Sequence, residues 1–126
     1  MREGIKTLVV DDSSVALSAM CSVVARQQNL TFVGAARNGL EALALAKTTH
    51  PDLVLLDLEM PVMGGVEATS CLARDCPDAR VVVVTVHNTP RVRSLCYDFG
   101  ASGFIAKESL NDELPAVVSR LFGNGE

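Results

Sequence analysis

Five short apolar runs alternate along the chain with segments in which apolar residues recur every three or four positions. Three of the runs contain unbroken apolar stretches, at positions 8–10, 53–56 and 81–84. An unbroken stretch is typical of a strand that is covered on both faces, as in a parallel sheet. The five predicted strands are residues 5–10, 30–35, 53–58, 81–86 and 102–106.

The segments between the runs have the spacing of amphipathic helices. We expect Ser13 or Ser14 to cap the first helix, because a side-chain oxygen there can accept a free N–H. Asn38 and Asn111 are expected to cap the second and last helices in the same way. The predicted apolar faces, in chain order, are Leu17, Met20, Cys21 and Val24; Leu40, Leu43 and Ala44; Val66, Thr69 and Leu72; Val92, Leu95, Cys96 and Phe99; Leu110, Leu114, Val117, Val118 and Leu121.

Strand and helix alternate five times, which predicts an α/β fold with an open parallel sheet and helices on both faces. A length of 126 residues fits one domain, since domains average ~150 residues. We expect this domain over residues 1–122 and interpret residues 123–126 as a tail or the start of a linker.

Composition excludes several classes of protein. The 11 Lys and Arg against 15 Asp and Glu give a net charge of −4, which disfavours direct contact with nucleic acid or an anionic membrane. No apolar stretch approaches the ~20 residues of a spanning helix, and none follows the N-terminus as a signal core would. The four cysteines form no C-x-x-C pair, so we expect reduced thiols and a cytoplasmic protein.

Polar residues stand where the predicted strands end. Asp11 and Asp12 follow the first strand, Asp57 ends the third, Thr85 lies near the end of the fourth and Lys107 follows the fifth. Ligands of open parallel sheets bind beyond the carboxyl ends of the strands. Taken singly, each residue has an ordinary role as a helix start, turn, strand or surface residue. Together, at one edge, they indicate a functional site.

The charges of this group predict a bound cation. Two carboxylates ~4 Å apart repel by ~4 kcal/mol at an effective dielectric constant near 20. Three aspartates with a single lysine require either protonation or a divalent cation, and oxygen ligands favour Mg²⁺ over zinc. A carboxylate beside Mg²⁺ and a lysine can accept a phosphoryl group as a nucleophile. These arguments do not say which aspartate that is.

In this order and spacing, the residues resemble the receiver domain of bacterial two-component response regulators. The resemblance covers essentially the whole chain. It implies the flavodoxin-like doubly wound (βα)5 sheet with strand order 2-1-3-4-5. The motifs that carry it are residues 9–13 (VVDDS), 38–43 (NGLEAL), 51–61 (PDLVLLDLEMP), 64–65 (GG), 84–85 (VT) and 100–107 (GASGFIAK).

The resemblance also implies roles. Asp57 would accept a phosphoryl group from a phosphohistidine on a sensor histidine kinase. Asp12 and Asp57 would bind Mg²⁺ directly with the backbone carbonyl of Glu59, and Asp11 would act mainly through a metal-bound water. Lys107 would pair with the phosphoryl oxygens. Such a domain promotes only its own phosphoryl transfer and dephosphorylation, so it is a signalling domain rather than an enzyme with an external substrate.

A conformational switch belongs to the same resemblance. The Thr85 hydroxyl would bind a phosphoryl oxygen, and Phe104 would turn inward as the threonine moves. The face of the fourth helix, fifth strand and fifth helix would then bind a second copy or an output domain. Residues 76–80 resemble the subfamily with a C-terminal helix-turn-helix domain, which indicates either a free-standing receiver or one cut from a transcription factor.

Several positions depart from the family pattern. Phe104 replaces the commoner Tyr, and Glu108 replaces a Pro that often follows a cis peptide. Glu59 and His87 stand two residues after Asp57 and Thr85, where the family tunes phosphoryl lifetime, although both could simply point into solvent.

Three alternatives remain open from the sequence. The first is a nucleotide- or flavin-binding module, which would need a Gly-rich phosphate loop after the first strand. The second is a phosphohydrolase acting through an aspartyl intermediate. The third is a non-phosphorylated pseudo-receiver that only binds proteins.

Overall fold

Strands and helices alternate along the chain as the hydrophobic pattern predicts. The computed structural model describes residues 4–123, so residues 124–126 of the expected tail lie outside the described part. The elements are β1 (Ile5–Val10), α1 (Ser14–Ala25), β2 (Leu30–Ala36), α2 (Gly39–Thr49), β3 (Leu53–Leu56), α3 (Gly65–Asp75), β4 (Arg80–Thr85), α4 (Pro90–Asp98), β5 (Gly103–Ala106), one 3₁₀ turn (Lys107–Ser109) and α5 (Leu110–Phe122).

The five strands form one parallel sheet in the order β2-β1-β3-β4-β5, which confirms the predicted fold. All four residues of β3 are fully buried. Leu55 packs with residues of α1 and α5, whereas its neighbours Val54 and Leu56 pack with residues of α2 and α3. The unbroken apolar run therefore exists because both faces of the strand are covered.

Some predicted boundaries were wrong by one or two residues. β3 ends at Leu56 and β4 at Thr85, because the chain leaves the sheet at the polar edge. Val86, predicted to end the fourth strand, is 62% exposed. β2 instead continues to Ala36, and β5 begins at Gly103.

Two of the three predicted helix caps are correct. Ser13 accepts the Ala16 N–H, and Asn38 accepts the Glu41 N–H. The cap at Asn111 was wrong, because a 3₁₀ turn leads directly into α5 at Leu110. The Asn111 side chain instead accepts a hydrogen bond from Arg26 of the segment after α1.

Part of the predicted apolar face of α4 is not covered. Cys96 is buried, but Leu95 and Phe99 are each 43% exposed. Leu40 of α2 is likewise 53% exposed. The periodicity located the helices, but it does not distinguish an apolar face that packs inside the domain from one that faces outward.

The described residues contain no helix with the length and apolar content needed to cross a membrane. All four cysteines are free thiols, with Cys96 buried and the other three partly buried.

Candidate functional site

The three aspartates predicted at the strand ends lie together in the structure. Carboxylate oxygens of Asp11, Asp12 and Asp57 are within 4.8 Å of one another. Asp11 is fully buried and Asp57 is 5% exposed, whereas Asp12 is exposed. One side of the cluster is therefore closed by protein and the other faces solvent.

Strand pairing brings the acidic residues together. β1 and β3 are neighbours, and Val10 is paired with Leu56 at their carboxyl ends. Beyond that pair, the Asp57 N–H donates to the Val10 carbonyl at 3.0 Å. Asp11 is fixed further because its Oδ1 accepts the Ser13 N–H at 2.9 Å. The start of α1 thus helps to orient a carboxylate of the site.

Lys107 reaches the cluster from the end of β5, two strands away from β3 in the sheet. Its Nζ lies 2.7 Å from Asp11 Oδ2 and 3.4 Å from Asp57 Oδ1. Burial disfavours the charged ammonium, but the contact with Asp11 and the attraction of Asp57 outweigh it and raise the pKa of Lys107. The lysine is therefore a permanent cation at neutral pH.

The environment of Asp57 strongly perturbs its protonation. Burial, followed by the negative charge of Asp11, raises its pKa to about 6, although the nearby Lys107 acts in the opposite direction. One lysine thus compensates the negative charge of the cluster only in part. A bound cation would neutralise the remaining negative charge.

The cluster fits a hard divalent cation. Its donors are carboxylate oxygens from three residues, one of them reachable from solvent. Asp11 Oδ2 is buried and accepts no hydrogen bond among the described residues, although it contacts the Lys107 ammonium. Oxygen donors with one open side suit Mg²⁺, which retains several waters.

Thr85 lies at the carboxyl end of β4, beside β3, and is fully buried. Its Oγ1 accepts the backbone N–H of His87 at 3.1 Å. The hydroxyl is therefore held by the loop that follows its own strand.

The side chains of Glu59 and His87 contact each other. His87 Nε2 lies 2.7 Å from Glu59 Oε2, and both side chains are largely exposed. This contact joins the loop after β3 to the loop after β4. Nothing in the sequence pairs residues 28 positions apart in loops, so only the tertiary structure could show it.

Phe104 of β5 is 4% exposed, so the ring is already buried while Thr85 still accepts the His87 N–H, before the movement that was expected to turn it inward. Sequence reasoning missed its neighbour Arg93 in α4, whose guanidinium carbon lies 4.8 Å from the centroid of the Phe104 ring. Arg93 also donates to Asn88 Oδ1 of the loop after β4. The peptide between Lys107 and Glu108 is trans.

The β3–α3 loop, residues 57–64, is closed at its base by Gly65. The Gly65 N–H donates to the Leu58 carbonyl at 2.8 Å. A Cβ added at Gly65 would lie 2.4 Å from the Asp57 carbonyl oxygen and 2.5 Å from Leu58 Cα. Only glycine allows this approach next to the acidic cluster.

Replacing Gly65 should therefore destabilise the fold. We expect Gly65→Ala to lower the free energy of unfolding by about 2 kcal/mol, because backbone atoms must move to admit the methyl group. Urea unfolding measures the effect. Gly64→Ala is the matched control, since a Cβ there would meet only the Leu58 carbonyl oxygen at 3.8 Å. Equal stability of the two variants would contradict the close approach.

Residues 7–119 match the family described as the response regulator receiver domain. The chain is 37% identical over 118 residues to the response regulator GacA of Pseudomonas aeruginosa, a match that covers 94% of this chain and 55% of GacA. It is 31% identical over 121 residues to the transcriptional regulatory protein LnrK of Bacillus subtilis, covering 96% of this chain and 55% of LnrK. The chain spans about half the length of these relatives.

A solved structure shows the same architecture. The chain superposes on the signal receiver domain of the response regulator NarL from Mycobacterium tuberculosis with a TM-score of 0.89 and 28% sequence identity. That match covers 98% of this chain and 100% of the other.

Proposed function

Because the chain belongs to the response regulator receiver domain family, we propose that Asp57 accepts a phosphoryl group from a phosphohistidine on a sensor histidine kinase. The observation that carries the proposal is the position of the Asp57 carboxylate. It is nearly buried, 3.4 Å from a lysine ammonium and within 4.8 Å of two further carboxylates.

Each side chain of the site has a separate role in phosphoryl transfer. An Asp57 oxygen attacks phosphorus while the bond from phosphorus to the histidine nitrogen breaks, and that nitrogen keeps the electron pair. Lys107 neutralises negative charge on the phosphoryl oxygens. Thr85 exchanges its contact with the His87 N–H for a hydrogen bond to one of those oxygens.

Mg²⁺ completes the site in this proposal. Asp12 and Asp57 would hold it directly with the backbone carbonyl of Glu59, and Asp11 would hold it mainly through water. When bound, the cation neutralises the carboxylates and the incoming phosphoryl oxygens. Asp11 also orients Lys107 through their contact at 2.7 Å.

The packing around Phe104 supports the proposed switch. When Thr85 moves toward the phosphoryl group, the loop after β4 moves with it, and Arg93 links that loop to the Phe104 ring through Asn88. The face of α4, β5 and α5 would report the change to a second copy or an output domain. Leu95 of α4 supports this binding role, because it leaves an apolar side chain exposed on that face. We place this domain in the cytoplasm as part of a transcription regulator, without nucleic-acid contact of its own.

Intact mass after incubation with Mg²⁺ and acetyl phosphate tests the proposal. We expect the wild type to gain one phosphoryl group and Asp57→Asn to gain none. The matched control is Asp52→Asn at the opposite end of β3. Asp52 accepts the Lys6 N–H at 2.9 Å, and the asparagine oxygen can still accept it. This control variant should therefore be phosphorylated normally.

Each other outcome is informative. An unmodified wild type would favour the pseudo-receiver that only binds proteins. Modification of Asp57→Asn at the wild-type level would refute the assignment of the nucleophile. Unchanged reaction in the presence of a chelator would exclude the role given to Mg²⁺.

A further inference from the structure

The β3–α3 loop contains a residue in an unfavourable backbone conformation. Val62 has a φ of 71°, and the Met63 N–H donates to the Pro61 carbonyl at 2.8 Å. This is a three-residue turn whose central residue is β-branched, a combination that is both rare and strained. Val62 is 73% exposed, so its own side chain does not hold the turn in place. Such a conformation persists only when surrounding structure fixes it.

The first turn of α2 supplies the restraint. The Gly39 N–H donates to the Met63 carbonyl at 3.2 Å. A Cβ at Gly39 would lie 2.7 Å from both Cβ and Cγ of Met63 and 2.8 Å from its carbonyl oxygen. These are atoms at or near the backbone, which cannot move aside as the end of a long side chain can. The approach therefore requires glycine.

The helix end that carries Gly39 is itself well anchored. Asn38 Oδ1 accepts the Glu41 N–H at 2.9 Å, and Glu41 Oε1 accepts the Arg37 N–H at 2.9 Å. The first contact caps α2, and the second ties Glu41 to the residue before the cap, so both sides of the helix start are held, much as in a capping box. The loop thus contacts an anchored helix end that contributes no residue to the acidic cluster.

We propose that Gly39 is a positioning residue for the cation site. Through its N–H and its missing side chain, it holds the far end of the loop that runs from Asp57 through Glu59 to Met63. This inference rests on the proposed function, since the Glu59 carbonyl is one of the ligands assigned above. In this proposal Gly39 supplies no ligand and acts only through the loop.

Titration of the full chain with Mg²⁺ alone, followed by calorimetry, tests the inference. We expect Gly39→Ala to weaken Mg²⁺ binding by about tenfold, as when the support of a metal ligand is removed. Gly34→Ala in β2 is the matched control, because a Cβ there would make an ordinary contact at 3.5 Å with Leu8, and its affinity should equal that of the wild type. Wild-type affinity in a folded Gly39→Ala would overturn the inference and leave only a structural role.

Amide hydrogen exchange of the wild type gives a second readout that needs no variant. We expect Mg²⁺ to slow exchange of the Gly39 N–H, although Gly39 supplies no ligand. The His50 N–H, which donates to Ala46 at the other end of α2, should be unaffected. A Gly39 amide insensitive to saturating Mg²⁺ would also overturn the inference, even if Gly39→Ala fails to fold.

The two proposals fail in different ways. Absence of Mg²⁺ binding by the wild type, or equal binding by Asp57→Asn, would refute the proposed cation site and this inference with it. Binding that depends on Asp57 but not on Gly39 would refute the inference alone.

Discussion

Lys107→Met should lower the free energy of unfolding by about 3 to 5 kcal/mol at pH 8 without divalent cations, because it leaves buried charge unpaired. In the wild type, Lys107 lies 2.7 Å from the fully buried Asp11 and 3.4 Å from the nearly buried Asp57. Methionine fills similar volume, so the loss measures charge rather than packing. Urea unfolding in the presence of a chelator gives the value.

The pH dependence identifies the cause of that loss. Lys107 lowers the pKa of Asp57, so its removal raises that pKa further above its ordinary range. The destabilisation should be largest at high pH and should shrink as pH falls and Asp57 takes up a proton. Lys47→Met, in an exposed position of α2, controls for the loss of one positive charge. A loss in the free energy of unfolding that does not change with pH would contradict the electrostatic explanation.

The same variant should lose phosphoryl transfer. Removing one preorganised charge from a developing anion typically slows the chemical step about 10²–10³-fold. The rate of phosphoryl gain from acetyl phosphate, measured by intact mass with saturating Mg²⁺, reports this step. Because Mg²⁺ supplies charge to the carboxylates, we expect it to restore more of the stability than of the rate.

The sequence allowed the sheet and the acidic cluster to be predicted because both follow from strand order. Unbroken apolar runs such as residues 53–56 identify strands buried on both faces. Parallel strands then place the residues that follow them, Asp11 and Asp57, at one edge. Neither step needs a side-chain contact, only the alternation of strand and helix and the direction of each strand.

Contacts between distant side chains could not be predicted in this way. Periodicity shows that a helix has an apolar face but not what covers it, and Leu95 was therefore expected to be buried. Arg93 over Phe104 and Glu59 beside His87 depend on how loops after different strands approach each other. Asn111 was assigned to a cap because local sequence does not show the 3₁₀ turn that extends α5 backward.

The strain at Val62 was equally invisible. Valine is among the residues least suited to a positive φ, so sequence alone would place it in extended structure. In the structure Val62 nevertheless has a φ of 71°, and the residue after it contacts Gly39. A residue that contradicts its local preference thus points to the part of the site that tertiary structure controls.

Asp57→Asn should stabilise the protein at neutral pH when divalent cations are absent, although it abolishes the proposed phosphorylation. The folded protein raises the pKa of Asp57 from 3.8 to about 6, so folding opposes ionisation of this carboxyl. The resulting penalty is absent below about pH 4, grows between about pH 4 and pH 6 and is complete above it. A shift of about two pH units corresponds to about 3 kcal/mol, and asparagine carries no such penalty.

Urea unfolding in the presence of a chelator should therefore show wild type and variant equally stable near pH 4, and the variant more stable by about 2 to 3 kcal/mol at pH 8. Asp52→Asn makes the same substitution away from the cluster, and a gain in stability of equal size there would assign the effect to net charge.

Saturating Mg²⁺ should narrow or reverse the difference in stability between Asp57→Asn and the wild type, because the cation stabilises the ionised carboxylate that only the wild type provides. A variant less stable than the wild type at pH 8 without metal would show that the Asp57 carboxylate is already compensated, and would remove the electrostatic reason for a cation at this edge of the sheet.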